Sequence, residues 1–204
     1  SRGLGDVYKR QVLTLMYDDN HKCNITISQE AAPSSADKLI KVIGGEATSE
    51  ETQGKDTDQN PLTLKMSYDG NKKTYFNSAF GQVSYPFSIR YELEKGHTLN
   101  SIVYTPRTDS GNKWGSFDQF TVEVSTADKP DDFVKIGDYA RGNGVHTPFT
   151  IKLSKPVEDA KFVRFIINKA YEDRVSCAEM EFYEASSNLS LIHISEPTRR
   201  SYIS

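Results

Sequence analysis

Apolar residues in this chain recur at every second position, in short runs cut off by Gly, Pro, Asn and Asp. A period of two sends successive side chains to opposite faces of an extended backbone, so such runs fold as strands. In Phe117–Ser125, Phe120, Val122 and Val124 share one face while Thr121, Glu123 and Ser125 share the other, which predicts a strand with one wet face. Phe162–Asn168 is nearly all apolar as far as Ile167 and predicts a central strand covered on both sides. The pattern also marks Leu39–Ile43, Pro86–Leu93, Ser101–Thr105, Phe133–Tyr139, Thr147–Leu153 and Cys177–Tyr183, and no stretch makes a convincing helix. About eight strands joined by long turns imply an all-β sandwich or jelly roll.

The two ends read differently. Ser1–Gln11 can be encoded by a DNA string whose reverse complement translates in frame to Leu189–Arg199. No folding requirement makes one end of a protein the antisense of the other, and the string looks like a transposase adapter from sequencing libraries. Residues 1–11 and 189–204 are therefore set aside, as an expression tag would be. The remainder divides into residues 12–37, expected to be the remnant of an upstream domain plus a linker (Ala31–Asp37, with Pro33), and one domain over residues 38–186. A domain of that size buries its own core.

Charge and cysteine content narrow the function. The chain has 25 basic and 28 acidic residues, of which the ends hold five and two, leaving a net charge of −6. A mildly acidic domain without a basic block does not bind nucleic acid through its phosphates. No run approaches the ~18 apolar residues that span a membrane. Cys23 and Cys177 lie in different segments, neither at metal nor redox spacing, and read as free thiols.

Ser67–Thr74 sets short oxygen-bearing side chains around Gly70. Calcium favours such loops, since it takes ~6–8 oxygens from carboxylates, amides and backbone carbonyls. Asp-Gly and Gly-Asn are equally the residues of an ordinary turn, so the loop alone leaves both readings open.

The loop is followed in order by Tyr104-Thr105-Pro106-Arg107, Phe162-Val163-Arg164-Phe165 and Ser176-Cys177-Ala178-Glu179-Met180-Glu181-Phe182-Tyr183. This order, from about Lys38 to Ala185, resembles the discoidin family, also called coagulation factor five/eight type C, which includes the family-32 carbohydrate-binding modules. The resemblance implies a discoidin-type jelly-roll β-sandwich with a structural calcium ion. Its ligands would be Met66, Asp69, Asn71, Thr74, Ala178 and Glu179, the first and the alanine through carbonyls. Asp69 and Glu179 would balance the two charges of the ion, and Glu179 alternates out of phase with Ala178, Met180 and Phe182, which keeps its carboxylate off the hydrophobic side. Upstream, Asn24–Glu30 resembles the closing strand of a BACON domain; the alternative is an edge strand of some other domain.

Sugar-binding relatives carry a loop cluster whose matching positions here are Asn77, Phe80, Arg107, Trp114 and Tyr171. The family's His stands as Asn77 and its Asn as Trp114, which departs from a galactose pattern. Aromatic faces cover the C–H side of a pyranose, and an Arg fork reads vicinal hydroxyls or a carboxylate such as that of sialic acid. Each position has a structural alternative: Trp114 folded back on the sandwich, Arg107 paired with Asp109 or Asp118, Phe80 in the core.

His21, His97 and His146 are isolated in sequence, and no metalloprotease, nucleophile-elbow or phosphate-loop motif is present. The expectation is a non-catalytic module, secreted or on a bacterial cell surface, with a glycan as partner. It would be a monomeric part of a longer chain and would target an enzyme to mucin-like glycans. Its motifs look most like discoidin domains preceding enhancin-like metallopeptidases or glycoside hydrolases. The competing expectation is a protein-adhesion or spacer domain that binds no sugar.

Overall fold

The computed structural model describes residues 10–18, 21–28 and 37–185, except 82, 108 and 110–112. The expectations for most of residues 1–11, for the linker with Pro33 and for residues 189–204 lie outside the described residues.

Two compact units are present, Ser1–Asp37 and Lys38–Ser204. In the first, β1 (Arg10–Asp18) and β2 (His21–Ser28) form an antiparallel hairpin running from Arg10↔Ser28 to Asp18↔His21. The strand expected within Asn24–Glu30 is thus, as far as Ser28, the second arm of a hairpin, and the first arm begins inside the segment set aside as adapter.

The second unit contains β3 (Lys38–Ile40), β4 (Val42–Ala47), β5 (Glu51–Lys55), β6 (Pro61–Leu62), β7 (Phe76–Asn77), β8 (Phe87–Leu93) and β9 (Leu99–Thr105). It continues with β10 (Phe117–Thr126), β11 (Val134–Ala140), β12 (Phe149–Val157), β13 (Ala160–Ala170), β14 (Ser176–Cys177) and β15 (Glu179–Glu184). Helical structure among the described residues is limited to short 3-10 turns, at Leu64–Ser67 and Tyr171–Asp173 among them. One antiparallel sheet has the order β11-β10-β13-β8-β4 and the other β12-β9-β15-β3; β14-β7 and β5-β6 are small added ladders. This is the all-β sandwich that the alternation predicts. No helix among the described residues is long and apolar enough to cross a membrane.

Between the sheets, Phe120, Val122 and Val124 meet Val163, Phe165 and Ile167, together with Ile89, Tyr91, Ile102, Tyr104, Met180 and Phe182. Phe162–Ile167 is central but covered fully on one side only. On the other, Phe162 lies under the Arg90 guanidinium at 4.6 Å, and Arg164 is held by Glu123 at 2.5 Å. The aliphatic stems of such side chains shield a face that periodicity alone assigns to the core.

Two fully buried tyrosines connect this core to the loops. Tyr104 stacks on Phe117 with ring centres 4.0 Å apart, and its hydroxyl donates to the Ser176 carbonyl at 3.0 Å. Tyr91 OH and Ser67 Oγ are 2.9 Å apart. A buried phenol needs such a partner, so both hydroxyls fix the adjoining backbone to the sandwich.

Candidate functional site

The loops after β7, β9 and β13 converge at one end of the sandwich, because Thr105 pairs with Glu179 and Phe117 with Ala170. Backbone bonds join them: Ser78 N–H donates to Val175 O at 2.8 Å, Gly115 N–H to Tyr171 O at 2.9 Å, and Ser176 N–H to Gly115 O at 2.9 Å. Gly115 has φ +78, and a Cβ there would lie 2.5 Å from the Ser176 nitrogen, so no other residue fits. The cluster is therefore a rigid platform rather than a set of independent loops.

On that platform the chain presents aromatic surface. Phe80 is 57% exposed and Trp114 44% exposed. Phe80 rests edge-on against Gly54, where a Cβ would come within 2.7 Å of its ring, and its amide donates to Glu51 Oε2 at 3.0 Å. Glu51 Oε1 also accepts from Gln53 and Gly54 at 2.9 and 2.7 Å. These amides, Gly54 foremost, hold the Glu51 carboxyl below its ordinary range. Between the two rings stands Arg174, with Cζ 4.9 Å from the Trp114 ring centre and 5.6 Å from that of Phe80. Sequence reasoning missed Arg174, because nothing in its own neighbourhood links it to rings sixty and ninety-four positions away.

Three expected glycan residues are situated differently. Asn77 is 1% exposed; its amide nitrogen donates to Ser78 O at 2.8 Å and its oxygen accepts from Ser176 Oγ at 2.9 Å, which corrects the expectation that it faces a ligand. Register explains this, since Asn77 is directly opposite Ser176 in the β7-β14 ladder. Arg107 is buried too. Its Nε and Nη2 each donate to Asp109 at 2.6 Å, Nη2 also donates to the Tyr75 hydroxyl at 2.8 Å, and the Tyr75 ring lies 4.0 Å below. The fork expected to read a sugar is thus closed by Asp109. Tyr171 packs its ring against Gly144, near the Lys113 stem, and adjoins the platform through its backbone.

At the Asp69 loop, Asp69 Oδ1 accepts from Asn71 N–H at 2.8 Å, and Thr74 Oγ1 lies 2.8 Å from both Asp69 Oδ2 and the Asn71 carbonyl. Glu179 reaches this loop from the start of β15, just after Ala178, whose N–H donates to Thr105 O at 2.9 Å. Oε1 of Glu179 accepts from Gly70 N–H at 3.4 Å; Oε2 is buried with no partner and is the one carboxylate oxygen so left among the described residues. Burial, with Asp69 and Glu181 nearby, pushes the Glu179 carboxyl up to about 7. No three His, Cys, Asp or Glu side chains gather for a metal among the described residues, so a cation here would rely on two carboxylates and neutral oxygens. Met66 precedes the loop in the turn Leu64–Ser67.

Other features stand apart from this end. A cleft of about 680 Å³ between Val124, Val134, Leu153 and Val157 contains no sequence-predicted site residue. His97 is not isolated in space: it lies 3.0 Å from Glu184 and 3.5 Å from Glu94. Cys177, by contrast, belongs to this end, in β14 opposite Phe76, and is a buried free thiol.

The family model of the F5/8 type C domain matches residues 46–181. The chain belongs to the F5/8 type C family. Solved structures with the same fold include the CBM32-1, CBM32-2 and M60 catalytic domains of Clostridium perfringens ZmpB, at 20% identity and TM-score 0.60, covering 72% of this chain and 15% of that one. The family 32 CBM of C. perfringens NanJ in complex with galactose matches at 22% identity and TM-score 0.57, over 69% of this chain and 93% of that one. CpGH89CBM32-5 from the same organism, in complex with GalNAc-β-1,3-galactose, matches at 23% identity and TM-score 0.56, over 69% and 94%. This F5/8 type C domain thus spans a small part of the ZmpB structure and nearly all of the two isolated modules. Among curated proteins none matches the chain.

Proposed function

We propose that this F5/8 type C domain is a non-catalytic carbohydrate-binding module whose ligand rests on Phe80 and Trp114. The observation that carries this reading is that the two largest exposed rings of the loop end flank one arginine on a backbone-braced platform. Exposed aromatic faces cost solvation and are retained where a ligand covers them. Relatives of the same fold are seen with galactose and with GalNAc-β-1,3-galactose, which supports a sugar as that ligand. The module would be part of a longer secreted or surface protein and bring an attached enzyme to host-type, mucin-like glycans. A glycan array probed with the purified chain tests this, with Phe80→Ala and Trp114→Ala as controls. A spacer or adhesion role is favoured by one fact, the closure of Arg107 by Asp109, and an empty array would leave it ahead.

The Asp69 loop supports a structural calcium site. Asp69, Asn71, Thr74 and Glu179, with the carbonyls of Met66 and Ala178, would hold the ion, which supplies two positive charges where an unpartnered carboxylate oxygen is already buried. Asp69 and Glu179 would then tie the loop to β15. Thermal unfolding of metal-stripped protein, with and without added calcium, tests this.

A further inference from the structure

Arg174 differs from Arg90, Arg107 and Arg164 elsewhere in the domain. Arg107 is gripped by Asp109, Arg164 by Glu123, and Arg90 lies 3.1 Å from Glu46. Among the described residues the Arg174 guanidinium has no hydrogen-bond acceptor and no carboxylate partner; its contacts are the rings of Phe80 and Trp114. Cation–π contact orients a guanidinium without using any of its five N–H donors. Two acids of the surrounding loops are otherwise engaged, Glu51 by three backbone amides and Asp109 by Arg107. Exposed Glu172, two residues away with φ 58, makes no ion pair with Arg174. A permanent positive charge with open donors therefore sits in the middle of the aromatic surface.

We propose that Arg174 gives this site a preference for glycans bearing an anionic group, a carboxylate as in sialic acid or a sulfate ester. This rests on the reading of the platform as a sugar site. The planar fork of Arg meets either group through two parallel charge-assisted bonds, which a neutral hydroxyl does not match. The flanking rings hold the fork in place, so little side-chain freedom is lost on binding. The acid-reading role expected of Arg107 passes to a residue sixty-seven positions further on, in neither motif nor period: Arg174 lies in the link between β13 and β14.

The test is a calorimetric or NMR titration of the full chain with lactose, 3′-sialyllactose and 3′-sulfolactose, repeated on Arg174→Gln and Arg174→Lys. The acidic ligands should bind about tenfold more tightly than lactose, as a charge-assisted pair allows. Whether carboxylate or sulfate is preferred follows from the two acidic arms. In Arg174→Gln the ratio of acidic-ligand affinity to lactose affinity should fall to about one, and Arg174→Lys should retain part of the preference. Equal affinity for all three sugars in the wild type overturns this inference and leaves the glycan reading intact, as does a preference that survives in Arg174→Gln. Absence of binding in every arm overturns both.

Discussion

Glu179 Oε1 accepts a hydrogen bond from the Gly70 amide at 3.4 Å across 109 positions of sequence, while its other oxygen is buried without a partner. One contact thus closes most of the domain and leaves a charge uncompensated. A cation bound only by the native state stabilises it by about 2.7 kcal/mol at a hundredfold excess over Kd. For a domain near 150 residues that is a rise in Tm of roughly 5–10 °C. Calcium should therefore raise the Tm of stripped protein by that amount. Glu179→Gln should abolish the response, whereas Glu181→Ala should keep it, because Glu181 is engaged by Lys72 at 2.9 Å. Identical melting curves with calcium and with chelator would return Asp69-Gly70-Asn71 to an ordinary turn.

The same carboxyl sets a pH dependence. Its folded-state value of about 7 exceeds the ordinary 4.5, so the folded protein binds the proton more tightly than the unfolded chain. The stability this contributes is complete below pH ~4.5 and is lost as pH rises through about 7, where it levels off. Glu51 acts in the opposite sense: its lowered value contributes stability above the ordinary carboxylate range and loses it as pH falls. Denaturant unfolding of metal-free protein should show a decline from pH 5 to 7 that Glu179→Gln removes, leaving the acid-side loss. A flat profile between pH 5 and 7 in the wild type would refute this.

Gly115→Ala should unfold more easily by about 1–3 kcal/mol, because φ +78 is strained for alanine and its Cβ would meet the Ser176 nitrogen at 2.5 Å. Urea denaturation measures it. A loss under about 0.5 kcal/mol, in the range of neutral surface changes, would mean the loops are not mutually braced.

Arg107 and Asp109 form a pair whose side chains are 8% and 31% exposed, against 56% and 62% for Lys135 and Asp138. Removing one partner of a buried pair strands the other, whereas an exposed pair contributes little. Asp109→Ala should cost about 1–3 kcal/mol in urea denaturation, whereas Asp138→Ala should leave the unfolding midpoint unchanged. Equal costs would show that the Arg107 contact is incidental.

Strands whose side chains alternate into a shared core were legible in sequence. Phe117–Ser125 and Phe162–Asn168 lie within β10 and β13, whose alternation is a direct record of one buried face. β4 was legible only at its start, since Gly44 and Gly45 carry no pattern and are held there by pairing with β8. β5 and β7 follow from contacts rather than period: Glu51 gathers three amides, and Asn77 is fixed by Ser176. At the candidate site, Phe80 and Trp114 could be picked out as aromatics in loops, but the closure of Arg107 and the position of Arg174 depend on partners that only the fold brings near.

The central claim is that the Phe80–Trp114 surface binds a sugar. The most direct measurement is binding of the full chain to an array of host-type glycans, beside a Phe80→Ala, Trp114→Ala double variant of matched Tm. Two rings that each bury about 50 Å² of apolar surface against a sugar contribute about 2.5 kcal/mol together, so the account predicts wild-type binding to a defined set of glycans and at least a tenfold loss in the double variant. Binding that the double variant retains in full, or no glycan bound by the wild type, would contradict it.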